Sequence, residues 1–281
     1  MDYDPSDRIE RRAMTRRDFL WLAGVSSAGM VMPVVLSGCA TDPTTGRSIL
    51  VGMSEEQERQ IDQEHAPHQF SRDYGVSQDE ALNRYINGVN QSLAGRSHRP
   101  QVPYSARAVN ATYINAYTFP GGTIAATRGI LLDMQSEDEL AGLLGHELGH
   151  VNARHTAQQA GQSMVAQIAV TAATVAASAS DYSAAAPIVQ ALGAVGSSAL
   201  LASYSRDNER QADALGMEYM TRAGYNPNGM VDLMQLLVSQ SREKPSVIET
   251  MFASHPMSAE RLASAKEGVQ RHATHQGKPL A

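Results

Sequence analysis

The sequence predicts an α+β chain, mostly helical, with a small β-sheet next to the helix that carries His146-Glu147-Leu148-Gly149-His150. Three observations predict it. Helix-opening signatures recur at Ser54-Glu55-Glu56-Gln57, Ser77-Gln78-Asp79-Glu80 and Ser136-Glu137-Asp138-Glu139, each a serine followed three residues later by Glu or Gln. One stretch, Val102 to Thr127, changes to short β-prone pieces punctuated by Pro103, Pro120 and Gly121-Gly122. Beyond Ser136 the pattern returns to helix.

The bulk properties narrow the function classes. With 281 residues and 42% hydrophobic content, the chain can bury a core as one large domain or two small ones. Its formal net charge of −6 supplies no basic field for phosphate polymers, so no nucleic-acid partner is expected. Cys39 is the sole cysteine, which excludes an intrachain disulfide and a cysteine-ligated zinc site. A lone cysteine can be a buried spectator or a nucleophile, but its position directly after an apolar run gives a third role.

That run belongs to an address. Thr15-Arg16-Arg17-Asp18-Phe19-Leu20 resembles a twin-arginine export signal, and Phe19 to Ser37 follows without a charge. Leu36-Ser37-Gly38-Cys39 resembles the lipobox at which bacterial prolipoproteins are cleaved and acylated on cysteine. The competing reading is an uncleaved membrane helix, for which Gly24, Gly29, Pro33 and the serines make a mediocre span. Residues 1–38 are therefore expected to be a lipoprotein signal peptide, with Cys39 the lipidation site on the periplasmic side of the bacterial envelope. Ala40 lacks the aspartate that often retains lipoproteins at the inner membrane, which points to the outer one.

Residues 39–53 read as a lipid-anchored polar tether with a turn between Pro43 and Gly46. Helices are predicted over about 54–72 and 77–95. The second presents Leu82, Tyr85, Ile86, Val89 and Leu93 at amphipathic spacing. Strands are expected at Tyr104–Val109, Thr112–Phe119 and Thr123–Thr127. Residues 156–205 are Ala-rich, with Asp181 as their only charge. Gln158, Gln159, Gln162, Gln167 and Gln190, with many Ser and Thr, favour a soluble or membrane-facing helical hairpin over a true span.

The helix after Ser136 carries the chemistry. Residues four apart share a helix face, so His146 and His150 can converge on one ion with zinc–nitrogen distances of about 2.0–2.1 Å. Glu147 lies about 100° around the helix, outside the ligand set but within reach of a water held there. Leu140, Leu143, Leu144, Leu148 and Val151 supply buried surface. Gly142, Gly145 and Gly149 recur on one side, where another backbone is expected to approach. A catalytic zinc takes three protein ligands, and His155 is too close to His150 for the downstream spacing of the metzincin class. The better third ligand is Glu209, with Asp213 one turn on to orient a ligand histidine. A solvated charged helix face is the alternative for that run.

Together these residues resemble the HtpX and CAAX-prenyl-endopeptidase family of gluzincin metalloproteases, in its periplasmic BepA/LoiP-like branch. The resemblance runs through Thr41-Asp42-Pro43-Thr44-Thr45-Gly46-Arg47, Ser54–Glu58, Asn115–Gly122, the helix to His155, Ser205–Asp213, and Ser254-His255-Pro256 with Arg261. It implies a zincin-like core over residues 54–281 and one Zn2+ per chain held by His146, His150 and Glu209. Glu147 would be the catalytic base and Asp213 the partner behind the ligands. It also implies an edge strand around Gly121–Thr127, with Gly121, Gly122 and Thr123 binding extended substrate. His255 would approach the metal as an oxyanion stabiliser or as a removable fourth ligand. Arg261 would assist the charged intermediate or pair near Glu260. Ala116-Tyr117-Thr118-Phe119-Pro120 stands where relatives often have Ala-Phe-Ala-Leu-Pro, which leaves the specificity of the adjoining pocket open. The expected activity is zinc-dependent hydrolysis of peptide bonds in unfolded or misassembled envelope polypeptides, in periplasmic quality control. Two rivals are a lipid-anchored chaperone using the same groove and an integral membrane protease spanning the bilayer with residues 163–201.

Overall fold

Asp42 makes the first turn among the described residues. Its carboxylate accepts from the Thr44 amide and from the hydroxyls of Thr44 and Thr45, and Gly46 follows at φ +71°, which a residue without Cβ tolerates. The computed structural model describes residues 38–177, 203–243 and 245–273. The signal-peptide expectation for residues 1–37, and residues 178–202 of the Ala-rich segment, lie outside that set. Either side of the turn, β1 (Cys39–Thr41) and β2 (Ser48–Leu50) pair antiparallel. The segment expected as a tether is therefore a hairpin. Val51 and Met53 follow it into a small apolar cluster with Ala157 and Ala160.

The Ser54 capping box forms as the sequence predicts and opens α1 (Glu55–Arg72). The Ser77 box does not. Asp79, a charged acceptor, takes the amides of Ala81 and Leu82 instead, so α2 (Glu80–Ala94) starts later than expected. Ile86, Val89 and Leu93 of α2 are buried as its periodicity requires, whereas Tyr85 is half-exposed with its hydroxyl on Glu137.

The sheet consists of β3 (Ser105–Val109), β4 (Ala116–Thr118) and β5 (Thr123–Thr127) in the order β3-β5-β4. β4 is shorter than predicted because residues 111–115 wrap the start of the next helix. The Thr127 hydroxyl donates to Tyr113 and Asn115 carbonyls, and the Gly129 amide bonds Ala111. The expected edge strand is corrected here. β5 is the middle strand, parallel to β3 and antiparallel to β4, so both its edges are already paired. The Gly121-Gly122 turn, with Gly122 at φ +107°, folds it back between its neighbours.

After α3 (Arg128–Asp133), Ser136 caps α4 (Glu137–Asn152), whose residues are buried from Glu139 onward. Glu139 accepts from the Gln135 amide and the Ser136 hydroxyl rather than from the Ser136 amide, closing the cap one residue earlier than a capping box does. Beyond it lie α5 (His155–Ala177), α6 (Arg206–Ala223), α7 (Asn228–Glu243), α8 (Pro245–Ser254) and α9 (Ala259–Ala273). The α+β, mostly helical class is the observed one. Among the described residues no helix is long and apolar enough to cross a membrane.

The three glycines of α4 do what their spacing anticipates. A Cβ on Gly149 would lie 2.7 Å from the Ala212 carbonyl oxygen, one on Gly145 would lie 3.1 Å from Gly216 Cα, and one on Gly142 would lie 3.1 Å from Met230 Cα. Helices α6 and α7 thus pack on α4 backbone to backbone. We expect Gly149→Ala to destabilise the chain by about 1–3 kcal/mol, the usual range for overpacking, despite a helix-propensity gain of about 1 kcal/mol. Gly88→Ala in α2, with nothing near its added methyl, should stabilise instead. Urea unfolding of the two variants checks the contrast in sign.

Candidate metal centre

Three segments converge beside the glycine seam. His146 and His150 come from α4, Glu209 from the first turn of α6, and His255 from the residue after α8. Ser205 fixes where α6 begins through a reciprocal cap with Asn208, which turns Glu209 and Asp213 inward on one face. One donor atom from each of His146, His150, Glu209 and His255 lies within 4.8 Å of all the others, and all four residues are buried. His146 Nε2 is 3.1 Å from His150 Nε2 and 3.2 Å from His255 Nδ1. Glu209 Oε1 is 3.3 Å from His150 Nε2 and 3.1 Å from His255 Nδ1, and its Oε2 is 3.5 Å from His146 Nε2. Four donors placed about 2.0–2.1 Å from one tetrahedral ion are separated by about 3.3–3.4 Å. The cluster has that size.

Its proton bookkeeping points the same way. His146 Nδ1 meets Asp213 Oδ1 at 2.8 Å, and a carboxylate can only accept, so this nitrogen carries the proton and Nε2 offers a lone pair. His150 Nδ1 meets His155 Nδ1 at 2.9 Å. Burial depresses His150 well below the ordinary imidazole range and His155 to about 4, so both rings are neutral at pH 7. Lone pairs facing each other across 3.1 Å repel unless a positive charge lies between them. The donor set fits a small divalent cation, and two imidazoles with one carboxylate is zinc chemistry.

The surroundings hold these groups still. Arg261 grips Asp213 with two bonds of 2.8 Å and contacts Glu209 Oε2 at 2.6 Å. Tyr204 stacks on His150 at 3.9 Å between ring centroids. Burial works to raise both Glu209 and Asp213, but the neighbouring histidines, with Arg261 at Asp213, outweigh it and hold both carboxyls below the ordinary range. His255 shows the converse. Burial works to lower it, and Glu147 and Glu209 overcome that and raise it.

Glu147 stands apart from this order. It is fully buried, and neither oxygen receives a hydrogen bond from the described residues. His255 Nε2 lies 3.7 Å from its Oε1. Burial raises its carboxyl above the ordinary range against the pull of His255 and His146. An unbonded buried carboxyl is costly, and one beside a donor cage is where a proton acceptor for a bound water belongs.

The structure thus brings together His146, Glu147, His150, Glu209, Asp213 and His255, six of the residues singled out in the sequence. Gly121, Gly122 and Thr123 are elsewhere engaged. The Thr123 amide and hydroxyl both bond the Asp62 carboxylate of α1, at 2.9 and 2.6 Å, and a Cβ on Gly121 would strike Asp62. These residues cannot pair with another chain as they stand. The free-edge candidate is β4, beside a groove of about 650 Å3 whose lining includes His65, His68, Arg72, Asn115 and Tyr117. Cys39 is exposed at the start of β1. Arg261 proves to be bound to the site rather than to Glu260, whose partner is Arg210. Tyr204 and the contact of His155 with His150 were not anticipated. An aromatic beside the α6 cap and a histidine five residues past His150 were the only signals for them.

Comparison with known proteins agrees with this geometry. The model of Peptidase family M48 matches residues 80–269, which contain the whole cluster. The chain is 31% identical over 206 residues to a putative beta-barrel assembly-enhancing protease of Vibrio cholerae, covering 70% of this chain and 41% of that protein. It is 26% identical over 249 residues to the beta-barrel assembly-enhancing protease of Escherichia coli K12, covering 87% and 50%. It is 31% identical over 167 residues to the metalloprotease YcaL of the same organism, covering 59% and 63%. The chain spans about half the length of the first two. With a match covering more than half of its residues, the chain belongs to Peptidase family M48.

Proposed function

We propose that this chain is a zinc-dependent endopeptidase, anchored through a lipid on Cys39 at the periplasmic side of the envelope and acting on unfolded or misassembled envelope polypeptides. The observation that carries the reading is the buried cage of His146, His150, Glu209 and His255 with the unbonded Glu147 beside it. His146, His150 and Glu209 would hold the ion, one per chain, and Asp213 fixes His146 from behind. Zinc bound there supplies Lewis acidity that polarises a water and a peptide carbonyl. Glu147 takes the proton of the attacking water and passes it to the leaving amine. Its raised proton affinity suits both halves of that transfer.

His255 Nδ1 stands at the same spacing from Glu209 and His146 as His150 Nε2 does, which favours the removable fourth ligand over the oxyanion stabiliser. In this conformation the ring faces His146 and Glu209 with Nδ1 and Glu147 with Nε2, so it would have to leave before a substrate carbonyl entered. Extended substrate pairs along β4, the unpaired edge, because main-chain hydrogen bonds tolerate many side chains. The groove beside β4 then receives alternate side chains. Relatives named as beta-barrel assembly-enhancing proteases support an envelope substrate. The address over residues 1–38 supports the anchor, and Cys39 stands exposed where an acyl chain needs it.

Three outcomes test this. Glu147→Gln should keep zinc, assayed by metal content, while casein cleavage falls by about 10²–10⁴-fold, the usual contribution of a general base; normal cleavage by that variant removes the proposed base. His255→Ala should keep its zinc and cleave faster than the parent chain. A slower variant would instead assign an oxyanion role, and unchanged turnover and affinity would leave His255 with neither. A Cys39→Ala form lacking residues 1–38 should fractionate as soluble protein rather than with the membrane pellet.

A further inference from the structure

His146 and His150 are supported differently. Behind His146 stands a carboxylate, Asp213, whereas behind His150 stands a second imidazole, His155. The chain of bonds does not stop there. His155 Nε2 meets Gln211 Oε1 at 3.2 Å, and Gln211 Nε2 reaches Thr44 Oγ1 at 2.9 Å and Asp42 Oδ2 at 3.4 Å. Asp42 is buried and is the residue that organises the β1–β2 turn.

Only one hydrogen-bond polarity satisfies this path. When His150 Nε2 faces the cage, its proton sits on Nδ1 and is donated to His155 Nδ1. His155 therefore carries its own proton on Nε2 and donates it to the Gln211 carbonyl oxygen. That orients the Gln211 amide, leaving its NH2 for Thr44 and Asp42. The path ends on a carboxylate, as the shorter one behind His146 does, but this carboxylate lies three residues from Cys39 and outside the stretch matched by the family model. Groups behind a metal ligand fix its tautomer and ring orientation.

We propose that His155 and Gln211 are positioning residues that tie His150 to the Asp42 turn, so that the metal is held tightly only while the N-terminal hairpin is docked. This rests on the reading of the cluster as a metal centre. By linkage the coupling runs both ways, and metal binding at the cage stabilises the hairpin.

The test is zinc affinity of the full chain, by competition with a chelator, alongside hydrogen exchange of the hairpin amides and thermal unfolding of the metal-free protein. His155→Leu should weaken zinc binding about 10–100-fold, the usual effect of losing such a partner. His155→Asn, which returns an acceptor near the position of Nδ1, should recover most of the loss. Gln211→Met should weaken binding in the same direction, and the double variant His155→Leu/Gln211→Met should be no weaker than His155→Leu alone, because both break one path. Zinc should slow exchange at the Asp42 and Gly46 amides in the parent and leave it unchanged in Gln211→Met. If His155→Leu unfolds the metal-free chain, His155→Asn and Gln211→Met carry the test. The proposal is overturned if both Gln211→Met and an intact His155→Leu bind zinc as the parent does, if their losses multiply, or if hairpin exchange ignores zinc. A parent chain that takes no zinc, or a Glu209→Ala variant that binds it equally well, overturns the metal centre itself, a result that does not involve His155.

Discussion

The site depends on how closely α4 and α6 approach. Side chains normally hold helix axes 8–10 Å apart, but the seam of Gly145 and Gly149 against Gly216 and Ala212 brings backbone against backbone. A carboxylate on a short Glu side chain can then reach two imidazoles on the facing helix. Glu209 stands one turn before Ala212 on α6, and His146 and His150 flank the seam on α4. Three helix-interior glycines cost about 1 kcal/mol each relative to alanine, so the sequence gives up helix stability where the contact requires it.

Charge is the second constraint. Glu147, Glu209 and Asp213 are three carboxylates buried within one cluster, and among the described residues the fixed cation paired with them is Arg261. Ionised together they leave an excess of two negative charges in a buried region, which is costly at low dielectric. The directions of the proton affinities show how the cluster responds: His255 and Glu147 are both raised, so protons collect where positive charge is short. A divalent cation bound there would supply the missing charge and displace those protons. The cage therefore suits a small divalent ion in size, lone-pair direction and charge.

Helical periodicity made most of the centre legible in the sequence. His146 and His150 are four apart, as are Glu209 and Asp213, and the glycine spacing announced a close neighbour before any neighbour was known. The sheet was harder. Period-two reasoning finds strands but does not order them, and the edge strand expected around Gly121–Thr127 came from the family resemblance. Its burial, continuous from Ile124 onward, is that of a strand covered on both faces, and the unalternated Ile124-Ala125-Ala126 was the available signal. Arg261, Tyr204 and Asp62 act on residues 48 to 61 positions away, and no local pattern encodes such distances. The Ser77 cap failed for a local reason, since two acceptors two residues apart competed and the carboxylate won.

The position of His255 limits how the centre can open. Its backbone amide bonds Met251, the Ser254 carbonyl bonds the Tyr204 amide, and Arg261 Nη1 bonds the Pro256 carbonyl. Swinging the loop breaks these three bonds, at a net cost of about 1 kcal/mol each, and also frees an Arg261 that is holding Glu209 and Asp213. Rotating the imidazole about its own side-chain torsions breaks none of them. A small cavity bordered by Leu143, Met230, Met251 and Met257 lies beside the ring, and methionines yield more readily than branched side chains. On the proposed reading of His255 as a removable ligand, the low-cost route to an open fourth position is therefore a rotamer change of that histidine toward the methionine wall, with the loop and its arginine left in place.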